Sequence, residues 1–257
     1  MGKKKTNVVI EEVNQSGIIN FYENEDCKKF AVEHINPNYN ADTMSFKHPF
    51  HSIIVGATGS GKSNILLNLI NKMSGTFEYI YIFTQDKSEQ LYEFLESKIE
   101  KPYLQIYEGI DKCNEILRDA KLDKAQYLFI YDDFVIEPEK KQMKICEMYV
   151  RSRKMAQKCG VSNIYLTQSY YDTPSIIRKQ SSYLVLKKIN GEREINALMR
   201  DCSSLDIDRK QLQTMYNYCV ASAQDISNFM LIDKKGIAEK TFRKNFDEIL
   251  NPDEFII

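Results

Sequence analysis

Eight consecutive residues have the types and spacing that bind a polyphosphate. They fill every fixed position of the pattern G-x-x-x-x-G-K-[ST]. Glycine permits backbone conformations that a Cβ excludes, so successive N–H groups of such a loop can point inward at one anion. The sequence therefore predicts a phosphate-binding loop made of Gly56, Ala57, Thr58, Gly59, Ser60, Gly61, Lys62 and Ser63.

Lys62 and Ser63 carry the functional side chains of this loop. The Lys62 ammonium is a point charge for the β- and γ-phosphates, and the Ser63 hydroxyl is a ligand for Mg²⁺, so ATP and Mg²⁺ are the predicted cofactors. Residues 53–55 are apolar and strand-like, and residues 64–70 have helical spacing, which places the phosphates at a helix N-terminus. The alternative is a chance match in a loop rich in glycine and serine.

A second candidate feature is an apolar segment that ends in two carboxylates. Residues 127–131 are apolar, and Asp132 and Asp133 follow them. We expect Asp132 to hold Mg²⁺ directly or through water, and Asp133 to orient and activate the water that attacks the γ-phosphate. The alternative is a core strand whose exit carries two solvated acids.

Gln168 follows a third strand-like segment, residues 163–167. The C-terminal ends of parallel strands open onto the ligand edge of a sheet, so we expect Gln168 to approach the γ-phosphate or its attacking water. Taken alone, a glutamine at the end of a strand is usually a solvated loop residue.

The elements that position these residues alternate between strands and helices. This alternation predicts an α/β fold with a mostly parallel, buried sheet. Strands are predicted at residues 53–55, 79–84, 104–107, 127–131, 163–167 and 183–186, with a strand pair at 229–232 and 237–241. Helices are predicted from residue 62 and at 88–99, 111–120, 139–157, 192–200 and 209–218. The expected division is an N-terminal extension (1–47) with a short strand at 8–10, one domain (48–245) and a C-terminal tail (246–257).

Composition limits the classes of protein to consider. The 257 residues have room for one core with extensions, and a net charge of −1 gives no global signal for nucleic acid, so DNA contacts must come from local patches. The six cysteines are widely spaced without a C-x-x-C pair, which argues against a zinc site and for reduced thiols. No apolar run approaches the length of a membrane span, and no signal peptide opens the chain.

Three segments are candidates for contacts with partners. Residues 1–6 fit the myristoylation pattern at Gly2 and add three lysines for membrane association, or they form a basic start that aids solubility. Residues 151–158 carry four positive charges, which either contact phosphates or complement a helix dipole. Residues 247–257 are acidic with an apolar end and either dock on a neighbour or a capsid protein or pack locally.

The order of motifs resembles the FtsK–HerA superfamily of DNA-pumping ATPases, most closely the poxvirus-type genome-packaging ATPases of large DNA viruses and virophages. The resemblance covers residues 48–200 and includes Ile-Tyr-Leu-Thr-Gln-Ser-Tyr-Tyr at 164–171. It implies a RecA-like sheet, a homo-oligomeric ring of five or six subunits, and translocation of double-stranded DNA, irrespective of its sequence, into a preformed capsid. A capsid protein or vertex would be a partner, and the host cytoplasm, a viral factory or the virion would be the location.

The resemblance also assigns residues to roles. The family's loop lysine and serine correspond to Lys62 and Ser63, its strand-end aspartate to Asp132, its catalytic acid to Asp133 and its sensor glutamine to Gln168. Many relatives have glutamate where this chain has the shorter Asp133, which must sit closer to the water.

A neighbour's arginine enters each site in rings of this type. Arg193 is the preferred candidate because a comparable arginine follows the corresponding strand in the DNA-translocase branch. The other candidates are Arg151, Arg153 and Arg178.

Two other functions fit a phosphate loop. A small-molecule kinase would suit a chain of this size, although no arginine-rich lid is evident in the sequence. A nucleotide-dependent assembly scaffold would use ATP binding, with slow hydrolysis as a timer.

Overall fold

The computed structural model describes residues 46–119, 122–189, 191–202, 205, 207–221, 227–236 and 238–255. The predicted strand at residues 8–10 and the acylation of Gly2 lie outside these residues. Within the described ranges, no helix combines the length and the hydropathy that a bilayer span requires. None of the cysteines in these ranges forms a disulfide.

A nine-stranded sheet forms the centre of the described part of the chain. Its strands are β1 (His51–Val55), β2 (Tyr79–Thr84), β3 (Leu104–Glu108), β4 (Tyr127–Asp132), β5 (Val161–Thr167), β6 (Tyr183–Leu186), β7 (Met230–Asp233), β8 (Phe242–Lys244) and β9 (Glu248–Ile249). Their order in the sheet is β3-β2-β4-β5-β1-β6-β7-β8-β9, with β1 to β6 parallel to one another and β7 to β9 antiparallel to their neighbours. The central strands β1, β4 and β5 are buried along their whole length, and β4 is accordingly apolar up to its last residue.

Helices cover both faces of this sheet and confirm the predicted α/β fold. They are α1 (Lys62–Lys72), α2 (Gln90–Lys98), α3 (Asp111–Asp119), α4 (Glu139–Arg151), α5 (Ser175–Gln180), α6 (Glu192–Asp201) and α7 (Arg209–Val220). Successive side chains of a strand point to opposite faces. Ile54 and Ile130 therefore pack with α1 and α2, whereas Ile53 and Phe129 pack in the second core with α3 to α7.

The predicted helix at residues 139–157 is wrong at its C-terminal end. Helix α4 ends at Arg151, and two 3₁₀ turns, Ser152–Lys154 and Ala156–Lys158, follow it. The buried Ser152 hydroxyl accepts a hydrogen bond of 3.0 Å from Asn163 Nδ2 of β5, and this bond holds the turn against the sheet. The chain reverses through backbone with φ of 49°, 50° and 78° at residues 156–158, which an α-helix cannot accommodate.

The predicted strand at residues 237–241 is also displaced. A 3₁₀ turn, Ala238–Lys240, occupies most of that segment, and β8 begins at Phe242, which pairs with Ile232 of β7. Phe242 is buried in the core, and Arg243 forms a buried ion pair of 3.2 Å with Asp233. These contacts place the pairing after a longer turn than the Lys-Lys-Gly sequence indicates.

The C-terminal residues pack locally as far as the structure describes them. Strand β9 pairs with β8, and the turn Pro252–Phe255 lies against α7, where the Phe255 and Tyr218 rings are 5.6 Å apart. Gln211 Nε2 donates to the Pro252 carbonyl at 3.4 Å. The division of the chain into an extension, a domain and a tail stays a prediction.

Candidate functional site

The loop at residues 56–63 joins the C-terminal end of β1 to the first turn of α1. Gly59 and Gly61 have φ of 71° and 89°, a left-handed backbone that glycine adopts without strain. Among the described residues, no side chain caps the N-terminus of α1, so the N–H groups of its first turn are available to an anion.

Gly56 allows the loop to pass close to a neighbouring segment. A Cβ built on Gly56 would lie 2.5 Å from Ser60 Oγ and 2.7 Å from Lys187 Cβ. Lys187 is fixed there because its N–H donates to the Val55 carbonyl at 2.9 Å and its Nζ donates to the Asn228 carbonyl at 2.8 Å. A side chain at position 56 would therefore displace the loop.

The Lys62 ammonium turns back onto its own loop. Its Nζ donates to two loop carbonyls at 2.9 and 3.3 Å. Burial lowers the pKa of Lys62, while the negative charges of Asp132, Asp133 and Glu89 oppose this change. Three carboxylates thus favour the protonated form of the ammonium that the sequence assigns to phosphate binding.

Asp132 lies at the C-terminal end of β4 and is 9% exposed. Its Oδ2 accepts a hydrogen bond of 2.5 Å from the hydroxyl of Tyr92 on α2. Burial raises the pKa of Asp132 to about 6, with a further increase from Glu89 and Asp133, whereas Tyr92 and Lys62 lower it. The carboxylate is therefore held in position and poorly solvated.

Asp133 and Gln168 contact each other directly. Gln168 Nε2 donates to both carboxylate oxygens of Asp133, at 3.1 and 3.0 Å. Asp133 has φ of 62°, and its N–H donates to the Leu166 carbonyl at 3.3 Å, so the chain turns sharply where β4 ends beside β5. The two predicted residues meet although 35 positions separate them.

Arg193 and Glu194, in the first turn of α6, contact the segment that follows Gln168. The exposed Arg193 guanidinium lies 4.3 Å from the centre of the Tyr171 ring. Glu194 accepts hydrogen bonds from Ser169 Oγ at 2.6 Å and from the Tyr171 N–H at 2.9 Å. The start of α6 is thus tied to the loop that carries Gln168.

The other candidate arginines differ in exposure. Arg151 forms an ion pair of 3.5 Å with Glu147 on its own helix, and Arg153 is exposed on the 3₁₀ turn that follows. Arg178 is buried and lies over the Tyr170 ring.

Residues 38–250 match the family described as Poxvirus A32 protein. The chain belongs to this family. This assignment confirms the poxvirus-type resemblance of the motifs. Two proteins similar to this chain are the DNA packaging protein OPG160 of Variola virus, 23% identical over 142 residues (51% of this chain and 50% of that protein), and that of Monkeypox virus, 25% identical over 142 residues (51% and 45%). The chain spans about half the length of these curated relatives.

The fold of this A32-family chain is also similar to those of several solved structures. The genome packaging NTPase B204 from Sulfolobus turreted icosahedral virus 2, in complex with AMPPCP, has a TM-score of 0.53 and 17% identity and covers 78% of this chain and 98% of its own. The cytoplasmic domain of the type VII secretion ATPase EccC from Thermomonospora curvata has a TM-score of 0.51 and 12% identity, covering 81% and 26%. At these identities the likeness shows the shared fold.

The A32-family site contains residues that the sequence patterns did not identify. They are Tyr92 and Glu89 beside Asp132, Lys187 against the loop, and Glu194 beneath the Gln168 segment. None belongs to a contiguous motif, because the four residues reach the site from three separate segments of the chain. Only Glu194 had a local signal, since it follows the candidate Arg193 directly.

Proposed function

We propose that this chain is an ATP-hydrolysing motor that moves double-stranded DNA, irrespective of sequence, into a preformed viral capsid. The observation that carries the hydrolytic function is the Asp133–Gln168 pair, which lies at the same sheet edge as Lys62 and Asp132. The relatives' description as DNA packaging proteins supports DNA as the substrate. The complexes of B204 with AMPPCP and ATP-gammaS support ATP as the nucleotide.

ATP binding uses groups that the free loop already orients. Backbone N–H groups at the start of α1 bind phosphate oxygens, and the helix dipole favours the negative charge. The Lys62 ammonium leaves its two carbonyl partners and pairs with the β- and γ-phosphates. Because burial weakens its solvation, this charge gains more from a phosphate than an exposed lysine would.

The side chains at the loop fit Mg²⁺. The Ser63 hydroxyl and the Asp132 carboxylate are hard oxygen donors, and Mg²⁺ usually takes one or two such protein groups together with phosphates and waters. When bound, Mg²⁺ neutralises charge that develops on the phosphate oxygens. The Tyr92 hydroxyl holds Asp132 in one orientation and leaves its other carboxylate oxygen for the ion or its water.

Asp133 and Gln168 position the attacking water. Gln168 Nε2 is occupied by the carboxylate, so its Oε1 is free to accept a hydrogen bond from water. Asp133 accepts the proton of that water as it attacks the γ-phosphate. Gln168 orients the carboxylate and the water together, which compensates for the shorter side chain of an aspartate at this position.

The assembly that we propose is a homo-oligomeric ring of five or six copies. Arg193 is exposed at the start of α6 and serves the neighbouring site as the charge-neutralising arginine. A capsid protein or vertex is the docking partner, and the host cytoplasm, viral factory or virion is the location. Membrane association through Gly2 stays a prediction from the sequence.

The experiment that tests this function is phosphate release from ATP by the purified chain, with and without long double-stranded DNA, at low and moderate salt. We expect DNA to stimulate turnover and salt to reduce the stimulation. Lys62→Ala and Asp133→Asn should abolish turnover, and Asp253→Asn, a matched change at an exposed carboxylate, should leave it unchanged.

Two results would contradict the motor. Robust turnover that does not change when DNA is added favours the kinase and calls for a screen of phosphoacceptors. Nucleotide binding without turnover, accompanied by a change of oligomeric state, favours the scaffold.

A further inference from the structure

A basic cavity of about 680 Å³ lies away from the phosphate loop. Five basic side chains and one carboxylate line it, together with two serines. The charged residues are Arg178, Lys179, Arg200, Asp201, Lys234 and Lys235. Such a concentration of positive charge contrasts with the net charge of −1 for the whole chain.

The sheet topology places this cavity at the edge opposite to the nucleotide. Lys179 is near the end of α5, which leads into the start of β6. Strand β7 runs antiparallel to β6, with Asp233 opposite Tyr183, so Lys234 and Lys235 also lie at the start of β6. The phosphate loop follows the other end of β1, the parallel neighbour of β6. A ligand in the cavity therefore does not compete with ATP.

Arg178 is the feature that indicates a ligand. The residue is 8% exposed, yet its Nε and Nη1 atoms have no hydrogen-bond partner among the described residues. Its nearest anionic contact is Asp201, with 3.5 Å between Nε and Oδ2. A buried guanidinium with unsatisfied donors is unfavourable unless an anion accepts from it.

The single carboxylate that lines the cavity is shared by two arginines, Arg178 and Arg200. Asp201 Oδ2 accepts from the Tyr170 hydroxyl at 3.0 Å, and Asp201 Oδ1 lies 3.7 Å from Arg200 Nε. The Lys234 ammonium is held by the Arg178 carbonyl at 3.0 Å, and burial lowers the pKa of Lys234. The remaining positive charge is thus unbalanced and partly desolvated, which strengthens its attraction for an anion.

We propose that this cavity binds phosphate groups of the double-stranded DNA backbone. Lys179 and Lys235 on the exposed rim contact the phosphates, and the buried Arg178 guanidinium adds its positive charge to the same cavity. This assignment rests on the proposed function, because DNA is the polyanion that such a motor moves. Backbone contacts of this kind do not depend on base sequence.

The test is the affinity of the full chain for a short fluorescent duplex, measured by anisotropy over a range of salt concentrations. The double variant Lys179→Ala, Lys235→Ala removes two exposed rim charges. We expect about tenfold weaker binding at moderate salt and a slope of log affinity against log salt that is smaller by about 1.8, since each phosphate contact contributes about 0.9. Saturating ATP should not displace the duplex.

Two control variants test whether a loss of DNA affinity depends on where the lysines lie and on their positive charge. Lys98→Ala, Lys101→Ala removes the same charge at exposed sites elsewhere and should leave affinity and slope unchanged. Lys179→Arg, Lys235→Arg keeps the charge and should bind as the unchanged chain does. If the alanine double variant at the cavity binds the duplex with unaltered slope, the cavity is not the DNA site, although the motor stands. If the unchanged chain binds no duplex and DNA does not stimulate its hydrolysis, both proposals are wrong.

Discussion

Replacing Asp132 with asparagine should stabilise the free protein while it stops hydrolysis. Burial raises the pKa of Asp132 from 3.8 to about 6, so the folded chain resists the charge on this carboxyl group. This loss of folding stability is absent below pH 3.8, where the Asp132 carboxyl group is protonated in both the folded and the unfolded chain. It is fully present above about pH 6, where the group is ionised in both.

The magnitude follows from the two pKa values. One pKa unit corresponds to about 1.4 kcal/mol, so the change from 3.8 to about 6 amounts to roughly 3 kcal/mol at neutral pH. The amide accepts a weaker hydrogen bond from the Tyr92 hydroxyl than the carboxylate does, which offsets part of this gain. We expect the free energy of unfolding to rise by about 1–3 kcal/mol.

Urea unfolding in EDTA, without nucleotide, measures this effect. At about pH 8 the Asp132→Asn midpoint should exceed that of the unchanged chain, and the difference should shrink as the pH falls towards about 5. Asp253→Asn removes an exposed carboxylate and should change stability by less than about 0.5 kcal/mol. Destabilisation by Asp132→Asn at pH 8, or a gain that does not vary with pH, would refute the reasoning.

Three further changes probe the site. Gln168→Ala should lower kcat by about 100-fold and leave nucleotide affinity nearly unchanged, because it removes only the orientation of the attacking water. Single-turnover phosphate release measures the first effect and nucleotide titration the second. An equal loss in both would contradict this role. Tyr92→Phe removes a hydrogen bond that lowers the pKa of Asp132, so the acid limb of the kcat/KM profile should move to higher pH; an unmoved limb would exclude Asp132 as its origin. Gly56→Ala should cost about 1–3 kcal/mol of stability through overlap with Lys187, and should weaken ATP binding. Thermal unfolding and calorimetric titration of Gly56→Ala measure both, and an unchanged Tm would contradict the predicted overlap.

The proposed nucleotide site at the C-terminal edge of the parallel strands was predictable because its main parts are short contiguous sequence patterns. The phosphate loop and the Asp132-Asp133 pair are contiguous patterns, and the parallel sheet brings Gln168 to the same edge. Tyr92 was not predictable, since it lies 40 positions from Asp132 and resembles a core residue on an amphipathic helix.

Features built from several distant segments were missed or misplaced. The basic cavity combines the end of α5, the end of α6 and the turn after β7, so no segment alone shows its charge. The helical pattern continues past Arg151, but the hydrogen bond between Ser152 and Asn163 favours a turn there. Tertiary contacts of this kind override local preference.

The two hydrogen bonds of Glu194 make the Gln168 loop and the start of α6 a single mechanical unit. A displacement of Gln168, which faces the copy's own γ-phosphate in the proposed mechanism, must therefore carry Arg193 with it. If the chain forms the proposed ring, with Arg193 as the arginine offered to the next copy, the nucleotide bound to one subunit would affect the position of that arginine.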